Sequence, residues 1–288
     1  MKFLLVCILM IVTTVLEASE IDLSRNVQED GLIKIEILRG EISIEGWSEA
    51  RVQVKGDLDE LAEGLSFEVR DGVTEIEVEM PGRNVSWGDG SDLIIYVPTL
   101  SRVAVKAVAT DIEVSDVFGG MQLRSISGDI TLENGRERIS LKTVSGSISA
   151  TKTTGKLQAN SASGDIEVAA HEGDIGIETL SGDIEIEARS VRHLTGASIS
   201  GDVTVEAVFE QDVTAKLTSV SGSISVSLDG PLDFVFKANS NSGNIDNRLS
   251  ADEVVKEYGM RSLQGRVGNG AGSLTVRSVS GEIDLEGG

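Results

Sequence analysis

The chain has 288 residues, a formal net charge of −22 and a pI near 4.4, a balance that repels nucleic-acid phosphates and anionic lipid and makes neither an expected partner. It has one cysteine, Cys7, so no internal disulfide framework can form. Its two histidines, His171 and His193, lack the close spacing of a transition-metal site, and with aromatics at 3% there are few rings for a carbohydrate platform.

In chain order, Lys2 precedes an apolar run from Phe3 to Leu16, followed by small residues around Ala18. This is the profile of a secretory signal peptide over 1–18, and it falls short of the roughly 20 residues a membrane span needs. The mature chain is therefore expected to be exported, whether periplasmic, outer-membrane-associated or extracellular, with no transmembrane segment.

Residues 19–100 alternate in strand fashion but repeat weakly: Leu32 to Ile37, Gly40 to Ile44, Val52 to Val54, Phe67 to Met80 around an Asp71-Gly72 turn, and Leu93 to Val97 before Pro98. Leu58 and Leu61 allow a single helical turn, and a polar loop from Asn84 to Ser91 holds Trp87. This part is expected to be an irregular β cap closing one end of a stack.

Residues 101–288 carry the repeat. Its phrase is Ser127-Gly128-Asp129-Ile130, with copies at glycines 146, 164, 182, 201, 222, 243 and 281, so the glycines are 18, 18, 18, 19, 21, 21 and 38 residues apart. Counted from each glycine, positions seven and five before it are mostly apolar, position two after it is always Ile or Val, and position four after it is apolar except at Asn247. Position two before it is mostly apolar as well, and a corner or bulge is expected to bring it inward. Positions three and one before it are hydroxylic and expected on the outer face.

Each copy cannot bury its apolar face alone, whereas copies stacked about 4.8 Å apart can. The fold expected is an all-β, right-handed parallel β-solenoid of about 18-residue coils, one continuous domain with an insertion near 247–272. Ser250 followed by Glu253 predicts a short surface helix in that insertion, then a glycine-rich loop from Gly265 to Gly272. The end at Gly288, directly after a strand, is expected to leave an open edge able to pair with another chain.

The phrase itself suggests little chemistry. No serine of the column has a general base near it in sequence. The column after the glycine, with Asp129, Asp165, Asp183 and Asp202, reads as solvated turn carboxylates in preference to a calcium site. The paired hydroxyl columns could order water, as ice-binding solenoids do. Arg189, Arg192 and His193 are the nearest approach to a lyase cluster. The sequence assigns no catalytic, cofactor-binding or metal-ligating residue.

The eight Ser-Gly phrases, the Ile42-x-Ile44-x-Gly46-Trp47 unit and Asp92-Leu93-Ile94-Ile95-Tyr96-Val97-Pro98 resemble a bacterial β-strand-repeat family of unknown function labelled putative adhesin, the toastrack domain. The resemblance covers about residues 30–286 and implies a parallel β-solenoid of the cell envelope without catalytic residues. Three functions are weighed: a non-enzymatic, adhesin-like binding or scaffold protein; an accessory protein in envelope-stress sensing, as some relatives suggest; and, third, a polysaccharide-acting β-helix enzyme, since such enzymes are also built on β-solenoids. The expected partner is an envelope protein or surface ligand.

Overall fold

The computed structural model describes residues 20–82 and 88–288; the segment 1–18 expected to be a signal peptide, and Asn84 to Trp87 of the expected polar loop, lie outside the described residues. Every element among them is a strand or a turn, and all the strands join in one 22-stranded sheet. No helix in this part is long and apolar enough to cross a membrane.

Successive repeats pair parallel and in register. Before the phrase, Leu123, Leu141, Ala159 and Ile177 are Cα partners in turn; after it, Ile130, Ile148, Ile166, Ile184 and Val203 are. Each coil thus contributes one strand before its bend and one after it, and these form two facing parts of that continuous sheet, the leading and the trailing sheet. Both sets point between the sheets and are buried, as are Phe209, Phe234 and Phe236. Period-two alternation, one face buried and one wet, holds along nearly every strand.

The bend is built by three residue types. The hydroxyl three places before the glycine is buried, and it both donates and accepts. Ser161 Oγ donates to the Gly146 carbonyl of the preceding coil at 3.0 Å and accepts the Gly164 N–H at 2.9 Å. Thr143, Thr179, Ser198, Ser219, Ser240 and Ser278 repeat both contacts. The glycine sits directly on the glycine carbonyl of the coil before it, so a Cβ there would overlap that oxygen. This corrects the expected placement of the hydroxyls, because only the serine directly before the glycine faces water. Tying the bend inward at position three turns the neighbouring apolar side chain outward, so Ile126, Val144, Leu180, Ile199, Val220 and Val279 are exposed, not core.

The coils do not stack in chain order at the ends. At the C-terminal end, strand Gly272–Ser278 lies between Val203–Ser219 and Phe234–Ser240, and Ile283–Gly287 lies between Ile224–Asp229 and Ile245–Arg248. The last coil of the chain is therefore second from the end of the stack, and its final strand is not the open edge expected. The spacing of 38 residues between the last two glycines reflects this step around an outer coil. The N-terminal end mirrors it, since Leu32–Trp47 lies between the coil of Val73–Glu79 and Ser91–Pro98 and strand Arg102–Ser115. Antiparallel strands cover both ends: Gly64–Arg70, Arg51–Asp57 and Glu20–Asn26 at one, and Met260–Val267 with Val255–Glu257 at the other.

The expected surface helix after Ser250 is strand Val255–Glu257 instead. The Ser250 hydroxyl accepts the N–H of Asp252, two residues on, and Asn247 holds the Ser250 and Asp252 carbonyls, while Tyr258 and Gly259, both at positive φ, form a hairpin turn. The expected glycine-rich loop from Gly265 to Gly272 is shorter than expected: its first three residues extend the strand Met260–Val267, and 268–271 form the turn into Gly272–Ser278. The segment around Leu58 and Leu61 makes a turn closed by Ala62 N–H on the Asp59 carbonyl, with the buried Asp59 carboxylate paired to Arg39. The Asp71-Gly72 turn forms as the sequence indicates.

These contacts make the bend glycine and the exposed serine beside it unequal. Gly164→Ala is expected to cost about 4 kcal/mol, whereas Ser163→Ala stays within about 0.5 kcal/mol, as read from urea unfolding midpoints. Equal midpoints for the two variants would contradict the close approach of the coils.

Candidate binding surface

The bend positions a continuous surface feature. In stack order the position two before the glycine is Leu38, Val108, Ile126, Val144, Ala162, Leu180, Ile199, Val220, Val279 and Asn241, one per coil in adjacent register. Val108 is 38% exposed, Ile126 51%, Leu180 53% and Val279 43%, so this is a near-unbroken apolar row. Nine coil-to-coil steps of about 4.8 Å make it about 43 Å long. Single exposed aliphatic residues are ordinary on a protein surface, but a contiguous row of them marks a contact surface.

Charge is segregated on either side of the row. On the leading sheet, Arg102, Lys106, Arg124, Arg138, Lys142 and Lys156 are exposed over four adjacent coils. Lys106 pairs with Glu36 at 2.6 Å, while no carboxylate lies within 4.0 Å of the other five among the described residues. On the trailing sheet, the exposed side chains of the same coils include Asp111, Glu113, Glu133 and Glu167, and the following coils add Glu185, Glu187 and Glu206. The net charge of −22 thus averages over an acidic sheet and a basic patch. Composition alone does not resolve that patch.

Between the cations and the apolar row runs a shallow groove of about 530 Å³, with Lys106, Arg124 and Lys142 along one side and Ile126, Val144 and Ala162 along the other. Its floor is made of the buried hydroxyls Ser125, Thr143 and Ser161.

The other residues singled out by sequence have structural partners. Each turn aspartate accepts a backbone N–H from the next coil: Asp129 from Ser147 at 2.8 Å, Asp165 from Asp183 at 2.8 Å, Asp183 from Asp202 at 2.8 Å and Asp202 from Ser223 at 2.7 Å. That ladder gives the column a reason beyond solvation. The hydroxyl columns do not form a paired outward array, since one of them is buried. His171 and His193 are not brought together: His171 is fully buried at 2.8 Å from Thr153 Oγ1, and His193 is exposed at 3.0 Å from Asp174. Arg192 is held by Glu210 at 2.9 Å and Asp212 at 3.6 Å, so the basic trio of the sequence is not a free cluster. Trp47 stacks on Tyr96 at 5.2 Å and lies under Arg51 at 4.8 Å.

Comparison with known proteins places this architecture. Over residues 33–286 the chain matches the family model described as Toastrack DUF4097. No curated protein matches it. Among solved structures, it is similar to a "putative lipid binding protein" from Parabacteroides distasonis at 14% identity, covering 94% of this chain and 98% of that one with a TM-score of 0.53. It is also similar to a "putative adhesin" from Bacteroides fragilis at 14% identity, over 93% of this chain and 97% of that one, with a TM-score of 0.42. At 14% identity the likeness to the first of these shows the fold alone.

Burial pushes the His171 imidazole down to about 4 from an ordinary value of 6.5, against the opposing pull of nearby backbone and Asp174. The native state then binds fewer protons than the unfolded chain, so stability falls as pH drops from 6.5 towards 4. The loss amounts to about 3 kcal/mol over that window, from 1.36 kcal/mol per pH unit. Urea unfolding at pH 7 and pH 4 should show a smaller pH dependence for His171→Gln than for the parent chain. The same slope in both would exclude His171 as its source.

Proposed function

Because the chain belongs to the Toastrack family, we propose that it is an exported, non-enzymatic, adhesin-like binding protein of the bacterial envelope. The observation that carries this reading is the apolar row along the bends, exposed on nearly every coil. A stacked repeat presents the same side chain at a constant interval, which suits a long, shallow contact better than a deep catalytic cleft. The ion-paired state of Arg192 supports the non-enzymatic reading, since a lyase needs free cations gathered in a cleft. The coils are taken to wind right-handed, the hand that parallel crossovers follow.

The central part of the row provides the test. Leu180→Ser, Ile199→Ser and Val220→Ser together remove exposed apolar area without touching the core. The triple variant should keep the parent's melting temperature and lose at least about 90% of its retention of bacterial envelope fractions, as three apolar contacts of about 1 kcal/mol each would require. Full retention by the triple variant would overturn the row as the contact surface.

A further inference from the structure

The groove on the N-terminal half of the stack has two unlike walls, cationic and apolar, and its geometry points to an amphiphilic occupant. We infer that it binds a single long-chain fatty carboxylate, with the head group between Arg124 and Lys142 and the chain running from the groove along the apolar row past Val144, Ala162, Leu180 and Ile199. This deepens the proposed function by naming a ligand for one part of the apolar row, and it rests on that row being a binding surface.

Three features select this occupant. The first is charge: in a chain of net charge −22, Arg124 and Lys142 stand on adjacent coils with no carboxylate within 4.0 Å among the described residues, the neutral Gln122 amide oxygen being the acceptor beside Arg124. An anionic head would supply the missing counter-charge, and its contacts would be charge-assisted.

The second is the floor. Ser125 Oγ donates to the Thr110 carbonyl at 3.1 Å and accepts the Gly128 N–H at 3.0 Å. Thr143 and Ser161 are engaged in the same way. Their hydroxyl protons are committed to backbone carbonyls and cannot donate to the groove. A peptide laid there would leave backbone N–H and C=O groups without partners against the apolar wall, at a cost an acyl chain does not meet. The pitch disfavours a peptide too. Coils recur about every 4.8 Å, whereas same-side residues of an extended strand recur about every 6.6 Å.

The third is the far flank of the row. Asp129 and Asp165 are exposed three residues beyond Ile126 and Ala162, on the side away from the cations. A planar anionic bilayer seated on the row would meet those carboxylates, whereas one chain lying along the groove and the row does not. The volume of about 530 Å³ falls in the range of small-molecule sites.

Calorimetric titration of the purified chain with palmitate tests the assignment. Saturable binding at one palmitate per chain is expected, weakened about tenfold or more in Arg124→Gln/Lys142→Gln, since a hydrogen bond to a charged group is worth at least one factor of ten. Hexadecanol, which lacks the charge, and octanoate, which lacks the chain length, should each bind about tenfold more weakly than palmitate. Both substituted positions are exposed, so an unchanged melting temperature accompanies the expected result. Absence of saturable binding would overturn the proposal, as would equal palmitate affinity in the double variant. Flotation with phosphatidylglycerol vesicles in the absence of fatty acid would assign the surface to a bilayer instead, and displacement of palmitate by an acidic peptide would assign it to a protein. Retention of envelope fractions without palmitate binding would overturn this ligand and leave the contact surface standing. The reverse result would overturn only the adhesin-like reading.

Discussion

One buried hydroxyl in each of eight coils, from Ser125 to Ser278, sets the geometry on which the rest of this molecule depends. It bridges the glycine carbonyl of the coil before and the glycine N–H of its own coil, so it joins two coils and closes the bend in a single group. Both backbone partners lie in the stack, and removing the hydroxyl would strand them at about 1–3 kcal/mol for each buried group left unpaired. The glycine answers the same constraint from the other side, since the approach of the coils leaves no room for a Cβ. Serine or threonine and glycine are thus selected by packing and hydrogen bonding within the stack.

The surface follows from that bridge. A side chain drawn inward at position three before the glycine, a hydroxyl on eight coils and Ile37 or Ala107 on the two before them, leaves the next side chain outward, and the repeat fills that place with Ile, Val or Leu on most coils. The two sheets then diverge in charge, with carboxylates crowding the trailing sheet and cations standing on four coils of the leading one. The aspartate ladder reinforces the bend at the surface, each carboxylate holding an N–H of the next coil. A chain whose net charge is −22 can therefore still present a local patch of cations.

Much of the fold was legible in the sequence. The alternation of Leu123 and Leu141 before the bend, and of Ile130 and Ile148 after it, gave the core and the parallel register, because parallel stacking aligns identical residues at a constant offset and hairpin pairing does not. The candidate surface was not legible. Ile126 and Val144 are apolar, and residue type alone does not say which way a bend turns; Ser125 and Thr143 are polar, yet two backbone hydrogen bonds make their burial favourable. The interchange of coils at the ends was hidden for a related reason. Repeats with the same pattern fit either neighbour, and only the long spacing before Gly281 hinted at a step around an outer coil. At Ser250 a helix-cap pattern lost to Asn247 on one side and to the Tyr258-Gly259 turn on the other.

The direction of the bend is the central claim, and thiol accessibility measures it most directly. In a Cys7→Ser background, single cysteines placed by Ile126→Cys, Leu180→Cys and, as the buried comparison, Leu141→Cys would be reacted with a soluble thiol reagent under native conditions. Fast modification is predicted at 126 and 180, with protection at 141 until the chain unfolds. Protection at 126 and 180 would place the apolar row inside the core and contradict the outward turn of the bend.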